Sequence, residues 1–241
     1  MRVRKNKENE RVRASSTSLA TSTPRGGAGA VRVVGGDWRR TPLRVGVREG
    51  LRPTSERVRE TVFDWLGHLL GGMTGVRVLD LFAGSGALGL EAASRGAASV
   101  DAVETDRACA AAIRETVAKV RAEDRVRVTV GDAFGFLERA AAGSFDLVFI
   151  DPPFAHDLQE KAIGAIRGAL APEGLVYVES PEAPVPEETL GKLGFVRVRE
   201  GRAGQVAFEL LAREGSHMST LAKLPKVKGK AKALKNKEAQ A

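Results

Sequence analysis

The feature that most constrains the fold is a repeated alternation of short apolar runs with longer amphipathic segments. Four of the apolar runs are VRVLDLF at 76–82, SVDAVE at 99–104, VRVTVGD at 126–132 and FDLVFI at 145–150. The segments between them have helical spacing of apolar residues, as in DRACAAAIRETVAKVRA. Near-continuous apolar strands separated by helices indicate a mostly parallel sheet with helices on both faces. The sequence therefore predicts an α/β fold.

Further elements are expected at both ends of this sheet. The alternating stretches around Gly35 in VRVVGGDWRRTPLRV predict an arginine-rich β-hairpin. TSERVRETVFDWLGHLL predicts a helix that is capped by Thr54 or Ser55. The last two runs, FVRVREG and QVAFELLAR, alternate like an antiparallel hairpin. We expect the arginine-rich hairpin and its helix to occupy residues 30–68, and the main domain residues 69–212.

Basic residues concentrate at the two ends of the chain. The net charge is +8, and residues 1–29 carry seven Lys or Arg and two Glu, while residues 213–241 carry eight and two. Residues 30–212 are left with a net charge of −3. Both ends lack hydrophobic periodicity, so we expect disordered basic tails. Basic arms on a mildly acidic body indicate attraction to a polyanion such as RNA, with solubilising disorder as the alternative.

Composition excludes several classes of protein. A single cysteine, Cys109, rules out an intramolecular disulfide framework, and with only three histidines we expect no metal site. No apolar run approaches the roughly 20 residues of a membrane span, and no apolar targeting region follows the charged N-terminus. We therefore expect a cytoplasmic protein that does not bind membranes.

Acidic and glycine residues follow the predicted strands. After the first strand, Asp80 precedes the glycine-rich run GSGALG, whose backbone amides can approach a ligand at a helix N-terminus. Glu104 follows the second strand about 20 residues later, where a carboxylate can accept hydrogen bonds from the ribose hydroxyls of a nucleoside cofactor. Asp132 follows the third strand. Taken alone, the glycine motif would suggest a dinucleotide.

The fourth strand ends in Asp151-Pro152-Pro153-Phe154. Two prolines fix two φ angles and remove two backbone donors, so neither a helix nor a paired strand continues through them. We expect a stiff loop that holds the carboxylate and the aromatic ring in set directions. Such a loop has no obvious role in hydride transfer, which argues against a dinucleotide-dependent dehydrogenase.

Together these motifs resemble the Rossmann-like class I methyltransferases that use S-adenosylmethionine, whose amino-methylating branch carries an [Asn/Asp]-Pro-Pro-aromatic loop. RVVGGDWRRTPLRV, GLRPTSERVRETVFDWL, VLDLFAGSGALGLEAASRGA and FIDPPF occur in the order and spacing of bacterial 16S ribosomal RNA guanine-N2 methyltransferases of the RsmD type. The resemblance covers residues 31–212 and implies a seven-stranded sheet. It also implies S-adenosylmethionine as cofactor and 16S ribosomal RNA, or a small-subunit assembly intermediate, as partner. We expect a monomer.

The resemblance implies a role for each motif. Asp80 and the Gly84–Gly86 loop would face the amino-acid end of the cofactor, Glu104 its ribose, and Asp132 its adenine, with helix capping as the alternative for Asp132. The expected cofactor-binding residues are Asp80, Phe82, Ala83, Gly84, Ser85, Gly86, Glu104, Thr105, Asp132 and Ala133. The expected catalytic residues are Asp151, Pro152, Pro153 and Phe154. The expected RNA-binding residues are Arg39, Arg40, Arg52 and Arg57.

Three functions remain open at this point. The first is methylation of guanine N2 in 16S ribosomal RNA. The second is methylation of adenine N6 in RNA or DNA, because the proline loop recognises an amino group and not one particular base. The third is a noncatalytic RNA-binding assembly factor, against which the intact loop argues.

Overall fold

The computed structural model describes residues 31–44, 54–153 and 158–223. Residues 1–30, 45–53, 154–157 and 224–241 lie outside this description. The strands of the described residues are β1 (Arg77–Asp80), β2 (Ser99–Glu104), β3 (Val126–Val130), β4 (Phe145–Ile150), β5 (Leu170–Ser180), β6 (Phe195–Ala203) and β7 (Val206–Arg213). The helices are α1 (Glu56–Leu70), α2 (Ala87–Ser94), α3 (Arg107–Lys119), α4 (Ala133–Leu137), α5 (Leu158–Ala165), α6 (Glu187–Leu193) and α7 (His217–Thr220), and α7 continues into a 3₁₀ turn, Leu221–Lys223.

The strands form one sheet in the order β3-β2-β1-β4-β5-β7-β6. The first five of these are parallel, whereas β7 pairs antiparallel with both β5 and β6. The order of winding reverses between β1 and β4, and ligands of such sheets bind beside this switch at the carboxyl ends of the strands. The predicted α/β fold with a mostly parallel seven-stranded sheet is confirmed.

Helices cover both faces of the sheet. Leu66 of α1, Leu90 of α2 and Ile113 of α3 belong to one buried cluster. Ile163 of α5 and Leu190 of α6 belong to a second cluster on the opposite face. No helix among the described residues is long and apolar enough to cross a membrane.

The N-terminal β-hairpin is shorter than its sequence pattern predicts. Within residues 31–44 a single isolated β-bridge pairs Arg32 with Pro42, and the Leu43 amide donates to the Val31 carbonyl at 2.8 Å. The alternating pattern therefore locates a tight turn, which we call the N-terminal turn (31–44), but not a pair of regular strands. The 1–29 tail lies outside the described residues.

The chain stays ordered beyond the point at which we expected the C-terminal tail to begin. The prediction of disorder from residue 213 is wrong for 213–223, because α7 and its 3₁₀ turn occupy part of that segment. Ser216 caps α7 by accepting a hydrogen bond from the Ser219 amide at 3.1 Å, and Met218 packs against the core. Leu221 of the 3₁₀ turn also packs against the core, and the Met218 amide donates to Glu173 Oε2 at 3.2 Å. These few contacts order a segment that is too short to show a hydrophobic periodicity. Residues 224–241 lie outside the description.

A buried carboxylate joins the N-terminal turn to α2. The Glu91 side chain is fully buried, and it accepts hydrogen bonds from the amides of Val34 and Gly35 at 2.7 Å each. The Arg95 guanidinium, one helical turn further on, donates to the same carboxylate at 2.8 Å. All of these donors converge on one group, so Glu91 holds the turn in place against the helix.

The partner of Glu91 on α1 is Arg59, whose side chain is also fully buried, with an Nη1–Oε2 distance of 3.3 Å. Arg59 Nη1 also donates to the Arg32 carbonyl at 2.8 Å, and its Nε donates to the Thr54 carbonyl at 3.3 Å. Burial lowers the pKa of Arg59, and the Glu91 charge opposes that shift. The pair therefore fixes where α1 begins relative to α2 and the sheet.

Glu91→Gln should lower the free energy of unfolding by about 3–5 kcal/mol, because it leaves the Arg59 charge buried without its counterion. The measurement is urea unfolding followed by circular dichroism. The control is Glu188→Gln, which breaks the exposed Glu188–Lys192 pair and should cost less than about 1 kcal/mol. Equal losses in the two variants would contradict the structural role of the buried pair.

Candidate active site

Four acidic residues lie at or near the carboxyl ends of neighbouring strands. Asp80 ends β1 and Glu104 ends β2. Asp151 directly follows β4, and Glu179 is the penultimate residue of β5. Since β1 and β4 are neighbours in the sheet, the loops after these strands open onto the same crevice at the topological switch.

Asp80 is 2 % exposed, and its Oδ2 accepts a hydrogen bond from the Gly89 amide at 2.9 Å. Burial raises the pKa of Asp80 to about 7; the Gly89 hydrogen bond opposes this shift, and the Glu104 charge adds to it. A Cβ at Gly89 would lie 3.0 Å from Asp80 Oδ2, so a larger residue at that position would crowd the carboxylate. A cationic ligand group beside Asp80 would favour its ionised form.

The glycine-rich loop that follows β1 leaves open space at Gly84. Gly84 and Gly86 have φ of +54° and +72°, which favours glycine. A Cβ at Gly86 would lie 3.1 Å from Ile113 Cγ1, whereas one at Gly84 would meet only the Phe82 carbonyl, at 4.0 Å. Gly86 is therefore closely packed and Gly84 borders open space. The neighbouring predicted residues Ala83 and Ser85 are buried, and Phe82 is half-buried.

Glu104 links the loops that follow β1 and β2. Its side chain is largely buried, and its Oε2 accepts from the Gly84 amide at 2.7 Å. Its Oε1 accepts from the Asp106 amide at 2.7 Å and from the hydroxyl of the exposed Thr105 at 3.4 Å. A carboxylate offers about four acceptor sites, so ribose hydroxyls could share it.

Asp132 acts as a helix cap in this structure, which was the alternative to a ligand contact. Its Oδ2 accepts from the Gly135 amide at 2.7 Å at the start of α4, and the side chain is exposed. Ala133 beside it is buried. The contact of these two residues with adenine remains a prediction.

The Asp-Pro-Pro loop leaves the end of β4 as predicted, with Asp151 half-buried, Pro152 buried and Pro153 exposed. Phe154 lies outside the described residues.

The Thr54 hydroxyl lies 3.2 Å from Asp151 Oδ2. Ser55, not Thr54, caps α1, because its side chain accepts from the Val58 amide. The Thr54 side chain therefore faces the carboxylates of the site.

The carboxylate of Glu179, which the sequence analysis missed, lies next to Asp151. Glu179 is 6 % exposed, and its Oε1 accepts from the hydroxyls of Thr54 and Tyr177 at 2.7 Å each. The register pairs Ile150 with Val178, so the next positions along the two strands are Asp151 and Glu179. The sequence did contain a pattern that could have identified Glu179, because an acid near the end of the apolar strand LVYVES repeats the pattern that identified Asp80.

The protonation of this carboxylate pair is set mainly by burial. Burial raises the pKa of Asp151 well above its ordinary value, and the charges of Glu179 and Asp80 raise it further, while the Thr54 hydrogen bond opposes them. Burial also raises the pKa of Glu179, and hydrogen bonds from Thr54 and Tyr177 oppose that shift. Two carboxylates this close do not readily ionise together, so the pair retains a proton at higher pH than an isolated carboxylate would.

The structure describes three of the four predicted RNA-binding arginines. Arg39 and Arg40 are exposed on the N-terminal turn, and Arg57 is exposed in the first turn of α1. Arg52 lies outside the described residues. Across the described part of the chain, no cluster of three or more His, Cys, Asp or Glu side chains could hold a metal ion.

Comparison with known proteins gives a family for this arrangement. The family model described as "Conserved hypothetical protein 95" matches residues 31–212. The chain belongs to this family. It is 42% identical to ribosomal RNA small subunit methyltransferase D of Escherichia coli (strain K12) over 191 residues, which are 78% of this chain and 92% of that protein. The Haemophilus influenzae protein of the same name is 38% identical over 156 residues, 63% of this chain and 79% of that protein.

Solved structures agree with this assignment. A putative methyltransferase, yhhF, from Escherichia coli is 42% identical, with a TM-score of 0.65, and the match covers 77% of this chain and 99% of that one. A putative methylase from Haemophilus influenzae, HI0767, is 31% identical, with a TM-score of 0.63, over 77% and 99% of the two chains. The expected membership of the RsmD family and the methyltransferase class of this enzyme are confirmed.

The raised pKa of Asp80 predicts a pH-dependent stability. Below pH 4 the acid is protonated whether the chain is folded or unfolded, but between about 4 and about 7 only the folded state keeps the proton. The stability that Asp80 contributes is therefore lost as the pH rises. From pH 5 to pH 8, wild type should lose about 2.5 kcal/mol of unfolding free energy relative to Asp80→Asn, which cannot ionise. Parallel curves for the two proteins in urea unfolding would contradict this.

Proposed function

We propose that this chain transfers a methyl group from S-adenosylmethionine to the exocyclic N2 amine of a guanine in 16S ribosomal RNA during small-subunit assembly. The observation that carries the proposal is the position of Asp151. It follows β4 at the switch of the sheet, beside the glycine-rich loop after β1. The names of the relatives support ribosomal RNA as the substrate.

The residues after β1 and β2 fit this cofactor. Asp80 offers a buried carboxylate to the cationic amino-acid end, and Gly84 borders the open space that this group needs. Glu104 offers acceptors to the ribose, and Asp132 with Ala133 borders the adenine. The cofactor supplies an electrophilic methyl group on a sulfonium, which is already a good leaving group. The protein's task is therefore to bind and orient the two reactants.

The loop after β4 prepares the acceptor. The N2 amine of guanine is a poor nucleophile because its lone pair is delocalised into the ring. Asp151 and the Pro152 carbonyl can accept its two N–H bonds, which favours a pyramidal nitrogen with its lone pair directed at the methyl group. We assign Phe154 the role of stacking on the base and fixing its plane, a contact worth about 1–3 kcal/mol. Pro153 keeps these groups in one rigid turn.

The surface around the N-terminal turn supplies the charge that attracts RNA. The exposed Arg39, Arg40 and Arg57, together with Arg52 and the basic termini, contact phosphates. Such contacts release counterions, so RNA binding weakens as salt increases. On this proposal the enzyme acts as a monomer in the cytoplasm, where the ribosomal subunit is assembled.

Asp151→Ala should lower the rate of methyl transfer at least about 100-fold, because it removes the group that receives the amine hydrogen. Binding of S-adenosylmethionine, measured by calorimetry, should be essentially unchanged. The matched control is Asp64→Ala, which removes an exposed carboxylate on α1 and should leave both measurements as in wild type.

The substrate for this measurement is 16S RNA from a strain that lacks the enzyme, either deproteinised or as partly assembled subunits, with a labelled methyl donor. Mass spectrometry of the nucleosides should find N2-methylguanosine. N6-methyladenosine would favour the alternative acceptor. Near-normal turnover by Asp151→Ala would overturn the role of the loop.

A further inference from the structure

The Thr54 hydroxyl has one hydrogen, but it lies between two carboxylates. Its Oγ1 is 2.7 Å from Glu179 Oε1 and 3.2 Å from Asp151 Oδ2. It can donate to only one of them at a time, and the shorter distance assigns its hydrogen to Glu179; the contact with Asp151 is then a hydrogen bond when that carboxyl group holds a proton and donates it to a lone pair of Thr54. The three side chains therefore form a chain of two hydrogen bonds that shares a proton with the acids.

The surroundings favour the negative charge on Glu179. The Tyr177 hydroxyl donates to Glu179 Oε1 at 2.7 Å, so two hydroxyls converge on this one oxygen. The titratable groups that act on Asp151 from the adjoining strands are all acids: Glu179 and Tyr177 of β5, and Asp80 of β1. The ionised form is therefore better stabilised on Glu179 than on Asp151, and we assign the proton that the pair retains to Asp151 Oδ2, directed at Thr54.

We propose that Thr54 and Glu179 relay the proton that the acceptor amine must lose. This inference rests on the proposed function. As the N–C bond forms, the C–S bond breaks and its electron pair stays on sulfur. The N–H proton passes to Asp151 Oδ1, the Oδ2 proton passes to Thr54 Oγ1, and the Thr54 proton passes to Glu179 Oε1.

This sequence of transfers balances charge within the crevice. The donor loses its positive charge and Glu179 loses its negative charge, while Asp151 is neutral before and after. No buried ion is created, which matters because an isolated buried charge is costly. Asp151 touches the substrate and is the catalytic residue, whereas Thr54 and Glu179 act through it. Because Asp151 is half-buried, the proton can return to water by the reverse path after the product leaves.

The relay has a characteristic pH dependence. It needs Glu179 ionised, so the rate falls as the pH drops through the pKa of Glu179. It also needs the proton on Asp151, so the rate falls as the pH rises through the raised pKa of that residue, and the profile is bell-shaped. Glu179→Gln removes a neighbouring negative charge, which lowers the pKa of Asp151. The alkaline limb should then move to lower pH.

The test compares Thr54→Val, Thr54→Ser and Glu179→Gln on the same RNA substrate. Thr54→Val keeps the shape of the side chain but removes the hydroxyl, so kcat should fall about 10-fold to 100-fold, with an unchanged KM for RNA and an unchanged Kd for S-adenosylmethionine. Thr54→Ser should restore kcat. Glu179→Gln should lower kcat and also change the shape of the pH profile. The matched control, Thr61→Val on α1, should match wild type.

A second readout does not depend on activity. Carboxyl ¹³C NMR of the cofactor-free protein should show an Asp151 resonance that titrates at raised pH, and Glu179→Gln should shift this titration to lower pH. Wild-type kcat in Thr54→Val, no rescue by Thr54→Ser, or a Glu179→Gln profile that is lowered without a change of shape would overturn the relay. When one of these three results is found and Asp151→Ala is inactive in the same assays, the relay fails and the proposed function stands. If Asp151→Ala is active, the proposed function fails as well.

Discussion

The buried ion pair between Arg59 and Glu91 is the interaction on which the rest of the structure depends. It joins α1, α2 and the N-terminal turn, and its members also bind the Thr54 carbonyl and the amides of Val34 and Gly35. Burying two charges gains little stability by itself, because desolvation offsets their attraction. Its effect is geometric. α2 begins at the glycine-rich loop and α1 begins beside Thr54, so the pair sets both halves of the site relative to each other.

Asp80, Asp151 and Glu179 share one physical condition, since burial raises the pKa of each of them and disfavours its ionised form. Asp80 and the pair of Asp151 with Glu179 therefore hold protons at a pH where exposed carboxyls have lost theirs. A cationic ligand in this crevice makes ionisation more favourable, so the charge that the site lacks is the charge that a sulfonium cofactor carries. The crevice thus suits a positively charged methyl donor and a neutral amine.

Local patterns in the sequence predicted the parallel sheet, the acids after β1, β2 and β4, and the rigid proline loop. These features depend on short-range periodicity and on turn chemistry. Glu179 and Tyr177 were missed because their role comes from the register between β4 and β5, and Thr54 was treated only as a possible cap because its contacts depend on how α1 docks. The short helix α7 was missed because a four-residue helix is too short to show a periodic signal, and its contacts with the core and with Glu173 depend on the tertiary fold.

The most direct test of the central claim is a crystal structure with S-adenosylhomocysteine and guanosine bound together. The account predicts that the N2 amine of guanosine lies within hydrogen-bond distance of Asp151, on the side that faces the sulfur of S-adenosylhomocysteine, and that the amino-acid end of S-adenosylhomocysteine lies beside Asp80. A base bound outside the crevice, or a sulfur directed away from the Asp-Pro-Pro loop, would contradict it.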